Sequence, residues 1–286
     1  MMTADAHAAL SARVAALSAL APGTPAPPDA AQVIEALLSL LESGSLRAAS
    51  HDADGTWRAV AWVKQGILLA FRFGTIADMS PASGVFSFVD KATVPPQRFD
   101  VGSGVRVVPG GSTIRRGAHI GAGVVCMPPM FVNVGAWVGE GTMIDSHALV
   151  GSCAQIGARV HLSAAAQIGG VLEPVGATPV VIENDVVVGG NCGVYEGTVV
   201  RERAVLGAGV VLTRGTPVYD LVNKTVYRGS AEAPLEIPAG AVVVPGARAV
   251  NTPWDPELGL SVQTPVIVKY RDERTDLATA LEAWLR

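Results

Sequence analysis

Disulfides, membrane-spanning helices and a basic surface are all missing from this chain. Its three cysteines, Cys126, Cys153 and Cys192, are odd in number and show no CxxC spacing, so no disulfide framework is implied. No apolar run approaches the length a transmembrane helix needs. Only 16% of residues are charged and the formal net charge is −4, so nothing points to nucleic acid or to a membrane-surface patch. The stretch from His7 to Ala21 faintly resembles a secretory leader, yet it lacks a basic n-region and Arg13 interrupts it. It reads as a helix of a cytoplasmic protein.

What is present is a period of six. Stepping by six from Val108 meets Ile114, Ile120, Cys126, Val132, Val138, Ile144, Val150, Ile156, Leu162 and Ile168. The phase resumes at Ile182 and runs through Val188, Val194, Val200, Leu206 and Leu212 to Val218. Every position is aliphatic except Cys126. Helix and strand periods, 3.6 and 2, do not explain this. With Gly recurrently next in line (Gly121, Gly139, Gly151, Gly157, Gly169, Gly189, Gly207), the pattern reads as a hexapeptide β-helix. Three hexapeptides close a triangular coil of about eighteen residues, with the aliphatic side chain plugging the axis. The following Gly is expected to take a turn conformation that a Cβ disfavours. The 32 glycines and 49% hydrophobic content fit such a solenoid.

Three regions follow in order. Residues 1–100 read as a small α-rich cap, which shields the open end of a solenoid. Within it, residues 5–21 are helical, the proline-rich run 22–28 is a linker, and Asp29 caps a second helix that stops at Gly44. Residues 47–64 carry a hairpin signal at Asp54-Gly55, and 66–73 form a mostly buried segment. Residues 101–250 hold the coils. The 14-residue step from Ile168 to Ile182 marks an external loop of the kind that builds binding faces, residues 219–236 lose the phase, and Ile237–Val243 regain one coil. Residues 251–286 end the chain in a strand near 265–270 and a helix over 275–286.

Residue types narrow the chemistry. Asp145 takes a slot often held by Gly, where a carboxylate at a coil corner faces outward and a neighbouring subunit can bury it into a base. Its structural alternative is a turn Asp satisfying nearby amides. His119, His147 and His161 read first as solvated surface histidines, with a general base or a zinc site as alternatives, although no dense ligand cluster is visible. Arg106 suits a substrate carboxylate if it lies in a cleft. Cys153 and Cys192 have no sequence-visible His partner and read as small buried hydrophobes.

The run Glu140-Gly-Thr-Met-Ile-Asp145-Ser-His-Ala-Leu-Val-Gly-Ser152-Cys-Ala-Gln-Ile-Gly157 closely resembles the tetrahydrodipicolinate N-succinyltransferase family. So do Val160-His161-Leu-Ser163, Gly169-Gly-Val-Leu-Glu-Pro174, Arg106-Val-Val-Pro109, Tyr195-Glu196-Gly197 and Val266-Ile-Val-Lys269. The resemblance implies a left-handed parallel β-helix, a cytoplasmic homotrimer, and succinyl transfer from succinyl-CoA to the amine of ring-opened tetrahydrodipicolinate. No permanently bound cofactor or metal is implied; succinyl-CoA is a cosubstrate. By the same resemblance Asp145 is the substrate-binding and catalytic carboxylate, and Arg106 binds a substrate carboxylate. Ser152 and the backbone at Gly169 and Gly170 are candidate donors to substrate, cosubstrate or oxyanion.

Two departures stand out. Where many family members carry a second catalytic-type Glu, this chain has Gly193, and the family's usual Trp two places after the Asp is His147. Glu196 or Glu173 can then substitute, or Asp145 acts alone, and His147 is a candidate accessory base alongside Glu196. Arg201, Arg203, Arg214 and Lys224 are candidates for the CoA phosphates. The alternative readings are another acyl-CoA-dependent N-acyltransferase (acetyl-CoA donor or amino-sugar acceptor), a zinc hydratase, and a non-catalytic scaffold.

Overall fold

A computed structural model describes residues 4–82, 84–250 and 259–272. Two-residue strands stack into three parallel sheets that form the walls of a left-handed triangular prism. Face one carries His119–Ile120, Trp137–Val138, Gln155–Ile156, Val181–Ile182, Val199–Val200 and Glu236–Ile237. Face two carries Arg106–Val107, Val125–Cys126, Met143–Ile144, His161–Leu162, Val187–Val188, Val205–Leu206 and the start of Ala241–Ala249. Face three carries Thr113–Ile114, Phe131–Val132, Leu149–Val150, Gln167–Ile168, Gly193–Val194 and Val211–Leu212. Registers such as Trp137↔Gln155 place each residue on the one eighteen later. The second residue of each pair plugs the axis, and Ile144, Val150, Ile156, Leu162 and Ile168 are fully enclosed. Each such burial contributes about 1.5–3 kcal/mol.

The expected glycine mechanism is corrected by the backbone. Gly121, Gly139 and Gly157 do not take positive φ; a Cβ on any of them would meet the next coil's backbone at 2.6 Å. They are small because rungs touch there. The left-handed corner lies two residues further on, at positions such as Gly123, Gly135, Gly141, His147, Cys153, Arg159 and Asp185. Many of these are not glycine.

The ends of the array shift as well. Val107, not Val108, stacks on Cys126, and the extra residue is absorbed at the corner where Gly110 and Gly111 have φ of 142° and 92°. Val218 is buried but belongs to an antiparallel pair, Val218–Asp220 with Thr225–Tyr227; Ile237 is what stacks on Val200. The first insertion starts inward, with Val171 buried, before it leaves the wall. Ser261–Tyr270 pairs antiparallel with Ala241–Ala249 and thereby extends face two. The helix expected over 275–286 lies outside the described residues.

Three helices form the N-terminal part: α1 (Ala4–Ser18), α2 (Ala30–Glu42) and α3 (Ala61–Phe73). The segment read only as buried is most of α3, and the hairpin is Ala49–His51 with Trp57–Ala59. Asp29 makes no side-chain cap bond; its carboxylate is held instead by Arg13 at 2.5 and 2.6 Å. Gly44 ends α2 in the left-handed region, as expected. The helices share an apolar core with Val134 and Cys153 of the prism. Polar ties add to this: His119 Nδ1 lies 2.8 Å from the Glu42 carbonyl, and the buried Lys64 ammonium donates to the Ala177 carbonyl at 2.5 Å. No helix among the described residues is long and apolar enough to cross a membrane.

Candidate active site

Asp145 directly follows the plug Ile144, so it opens the corner between faces two and three and projects outward with 31% side-chain exposure. One oxygen accepts the Ser146 amide at 2.8 Å, the turn role expected of an Asp. The other lies 3.9 Å from His161 Nε2. That is too long for a direct hydrogen bond and becomes an ion pair when the imidazole is protonated. The placement of His161 follows from register: it stacks on Met143, one rung along, and points out of the same face. An imidazole next to a carboxylate can take or hold a proton at that corner. The sequence held the signal, because 161 is 143 plus one eighteen-residue coil.

His147 stands at the same corner, exposed, in the left-handed conformation with φ 63°. Arg106 heads the outward column of face two that continues through Val125 and Met143 to His161. It is exposed, two rungs from Met143, about 10 Å at the usual strand spacing. Asp145, His147, His161 and Arg106 therefore share one side of the prism.

Ser152, Gly169, Gly170 and Glu196 gather at another corner, between faces three and one. Gly170 packs directly on the Ser152 backbone, where a Cβ would come to 2.6 Å of its amide nitrogen, and the Ser152 carbonyl accepts the Val171 amide at 3.1 Å. The Gly169 amide is spent on the Val194 carbonyl at 2.8 Å, so it does not serve as an oxyanion donor. Glu196 accepts the Arg214 amide at 3.0 Å and faces a cavity of about 360 Å³ between the two insertions. One chain thus holds these residues at the opposite end of face three from Asp145.

Gly193 is buried under the Tyr195 ring. A Cβ there would lie 2.5 Å from Tyr195 Cε2 and 2.9 Å from its hydroxyl oxygen. The space where the resemblance leads one to expect a carboxylate is filled by an aromatic ring.

The remaining candidates sort on burial and partners. All three cysteines are buried and free. Desolvation pushes the Cys126 and Cys153 thiols up to about 12 and raises Cys192, which disfavours the nucleophilic thiolate. Arg201 is committed to Glu183 at 2.9 Å and Glu236 at 2.7 Å. His119 sits on face one against the N-terminal helices, away from His147 and His161. Among the described residues no group of three or more His, Cys, Asp or Glu is arranged to hold a metal ion.

Comparison with known proteins places this geometry. Residues 15–73 match the family model described as tetrahydrodipicolinate N-succinyltransferase N-terminal, and residues 179–214 match that of the hexapeptide repeat of succinyl-transferase. The chain is 41% identical over 259 residues to the 2,3,4,5-tetrahydropyridine-2,6-dicarboxylate N-succinyltransferase of Rhodopseudomonas palustris, covering 88% of this chain and 89% of that one. The enzyme of the same name from Polynucleobacter asymbioticus is 41% identical over 268 residues, 91% of each chain. That of Bradyrhizobium diazoefficiens is 40% identical over 262 residues, 89% of each.

Proposed function

The chain belongs to the tetrahydrodipicolinate N-succinyltransferase family, and on that premise we propose that it moves succinyl from succinyl-CoA to the amino group of L-2-amino-6-oxopimelate, the ring-opened form of tetrahydrodipicolinate, in lysine and diaminopimelate biosynthesis. The observation that carries this reading is the likeness to enzymes of that name along nearly nine-tenths of the chain. The geometry at the Asp145 corner supports it.

The acceptor amine is largely protonated at neutral pH and cannot attack until a base frees its lone pair. Asp145, with His161 3.9 Å away, takes that proton. The freed nitrogen attacks the thioester carbonyl, the C–N bond forms as the C–S bond breaks, and the CoA sulfur leaves as thiolate and is then protonated. Arg106 on the same outer face binds a substrate carboxylate through its planar fork. His147 and Glu196 are the accessory bases, and Ser152 and the Gly170 backbone are the donors to substrate and cosubstrate. Because Asp145 and the Ser152 corner lie at opposite ends of face three, the complete site needs a neighbouring subunit. The working unit in this reading is a cytoplasmic homotrimer with three sites between prisms, each groove taking the extended pantetheine arm. No cofactor stays bound.

One observation keeps a second reading in the test. With Gly193 under Tyr195, the second carboxylate is missing, which suits a sister N-acyltransferase with a different donor or acceptor. Incubation with L-2-amino-6-oxopimelate and succinyl-CoA, followed by mass spectrometry, should give N-succinylated acceptor and free CoA thiol in equal amounts. Absence of that product, with the trimer intact, removes the reading.

A further inference from the structure

A cavity of about 670 Å³ lies where Arg47 and the Ala49–His51/Trp57–Ala59 hairpin lean over the corner between faces one and two. It sits at the far end of face two from Asp145 and has no part in the reaction above. At its centre is Arg47. The guanidinium carbon stands 4.2 Å from the Trp137 ring centroid and 5.3 Å from that of Trp57, so two indoles hold the group between them. Its Nε donates to Gln155 Oε1 at 2.9 Å, and the Gln155 amide is fixed in turn by donating to the Cys153 carbonyl at 2.8 Å. The two terminal nitrogens make no ion pair or hydrogen bond among the described residues. Arg47 is half-buried with no anion on its fork, and this desolvation pulls the guanidinium down to about 10.

The surroundings select the anion. The His119 ring lies tilted against Trp137, centroids 4.0 Å apart, and its Nδ1 donates to the Glu42 carbonyl. Burial, with the Arg47 charge beside it, lowers its pKa and so disfavours a second cation there. His51 lies stacked on Trp57 at 4.7 Å. Glu183, Glu140 and Glu202 also line the cavity, and Glu183 is already paired with Arg201 and with the Trp57 indole N–H at 2.8 Å. One guanidinium fork among three carboxylates matches a single carboxylate and repels a dianionic phosphate. The indoles and the side chains of Ile120 and Ile182 provide apolar wall for the rest of a small molecule.

We infer that this cavity is a binding site for a small molecule bearing one carboxylate, gripped by the terminal nitrogens of Arg47 between Trp57 and Trp137. The inference stands apart from the succinyltransferase reading and fails or holds independently of it.

The test is titration of the full-length protein with acetate, benzoate and hexanoate, read by tryptophan emission and calorimetry, with orthophosphate as the contrasting anion. At least one carboxylate should bind saturably, Arg47→Gln should weaken it at least tenfold, and Arg106→Gln should leave it unchanged. Circular dichroism confirms that each variant is folded. If Arg47→Gln does not fold, Arg47→Lys, which keeps charge and stem but not the fork, should still weaken binding severalfold. No saturable carboxylate binding to the wild type overturns the inference, as does wild-type affinity in the Arg47 variant. Loss of binding in Arg106→Gln alone relocates the ligand to the substrate groove, and orthophosphate binding tighter than every carboxylate refutes the ligand class.

Discussion

Substituting Gly193 by Ala probes whether the missing carboxylate reflects a ring that has taken its space. An added Cβ would lie 2.5 Å from Tyr195 Cε2 and 2.9 Å from Cζ, roughly 1 Å inside ordinary contact. Forcing extra volume into packed structure costs about 1–3 kcal/mol. Gly193 does not have positive φ, so with the ring removed the same change should instead stabilise by about 0.4–1 kcal/mol, through lower unfolded-state entropy. A cycle of Gly193→Ala, Tyr195→Ala and the double variant should therefore give a coupling energy of about 1.4–4 kcal/mol. Urea unfolding followed by circular dichroism supplies the free energies. If Gly193→Ala costs the same in both backgrounds, Tyr195 is not what excludes a side chain at 193.

Three further outcomes are expected. Asp145→Asn should lower kcat at least about 100-fold with an unchanged circular dichroism spectrum; near-normal turnover removes Asp145 from the mechanism, while His161→Asn and His147→Ala in the same assay separate the two candidate imidazole partners. Gly139→Ala, whose Cβ meets the next rung's backbone at 2.6 Å, should destabilise by about 1–3 kcal/mol, against about 1 kcal/mol for Gly123→Ala, which has φ 71° and nothing nearer than 3.8 Å; equal costs by urea unfolding contradict the close-approach account. Burial depresses His119 in the folded state, so the unfolded chain binds the proton more readily, and stability is complete above its unfolded pKa of about 6.5 and falls as pH drops through the folded value. His119→Gln, which can still donate to the Glu42 carbonyl, should flatten unfolding free energy against pH in that window, and an unchanged slope assigns the acid sensitivity elsewhere.

The axis of the prism was written plainly in the sequence because each plug is a local decision: an aliphatic side chain every sixth residue has nowhere else to go. Ile114 to Ile168 and Ile182 to Leu212 could be read without any knowledge of partners. The ends were harder. Val107 displaced Val108 because a corner absorbed one residue, and Val218 went to a hairpin because the second insertion let Ile237 occupy its rung. Asp29 looked like a helix cap, yet Arg13, sixteen residues earlier, holds its carboxylate more strongly than a backbone amide would. The glycines were legible as a pattern but misread in cause, since backbone contact between rungs depends on chain eighteen residues away. Around the candidate site, the roles proposed for Asp145 and Arg106 come from family resemblance, and the structure adds only that both lie on one side of the prism. The His161 contact has its signal in the strand one coil before, at Met143, and not in the spacing between histidines. The Arg47 cavity had no sequence signal: it joins residue 47 to residues 137 and 155, which only the docking of the cap against face one brings together.

Donor preference tests the central claim most directly. Steady-state release of CoA thiol should be measured with succinyl-CoA and acetyl-CoA in parallel, on L-2-amino-6-oxopimelate as acceptor. A site that recognises the distal succinyl carboxylate gains a charged hydrogen bond acetyl cannot make, typically about 1.5–3 kcal/mol, so kcat/KM should favour succinyl-CoA by about 10- to 100-fold. Equal rates, or a preference for acetyl-CoA, contradict the succinyltransferase assignment.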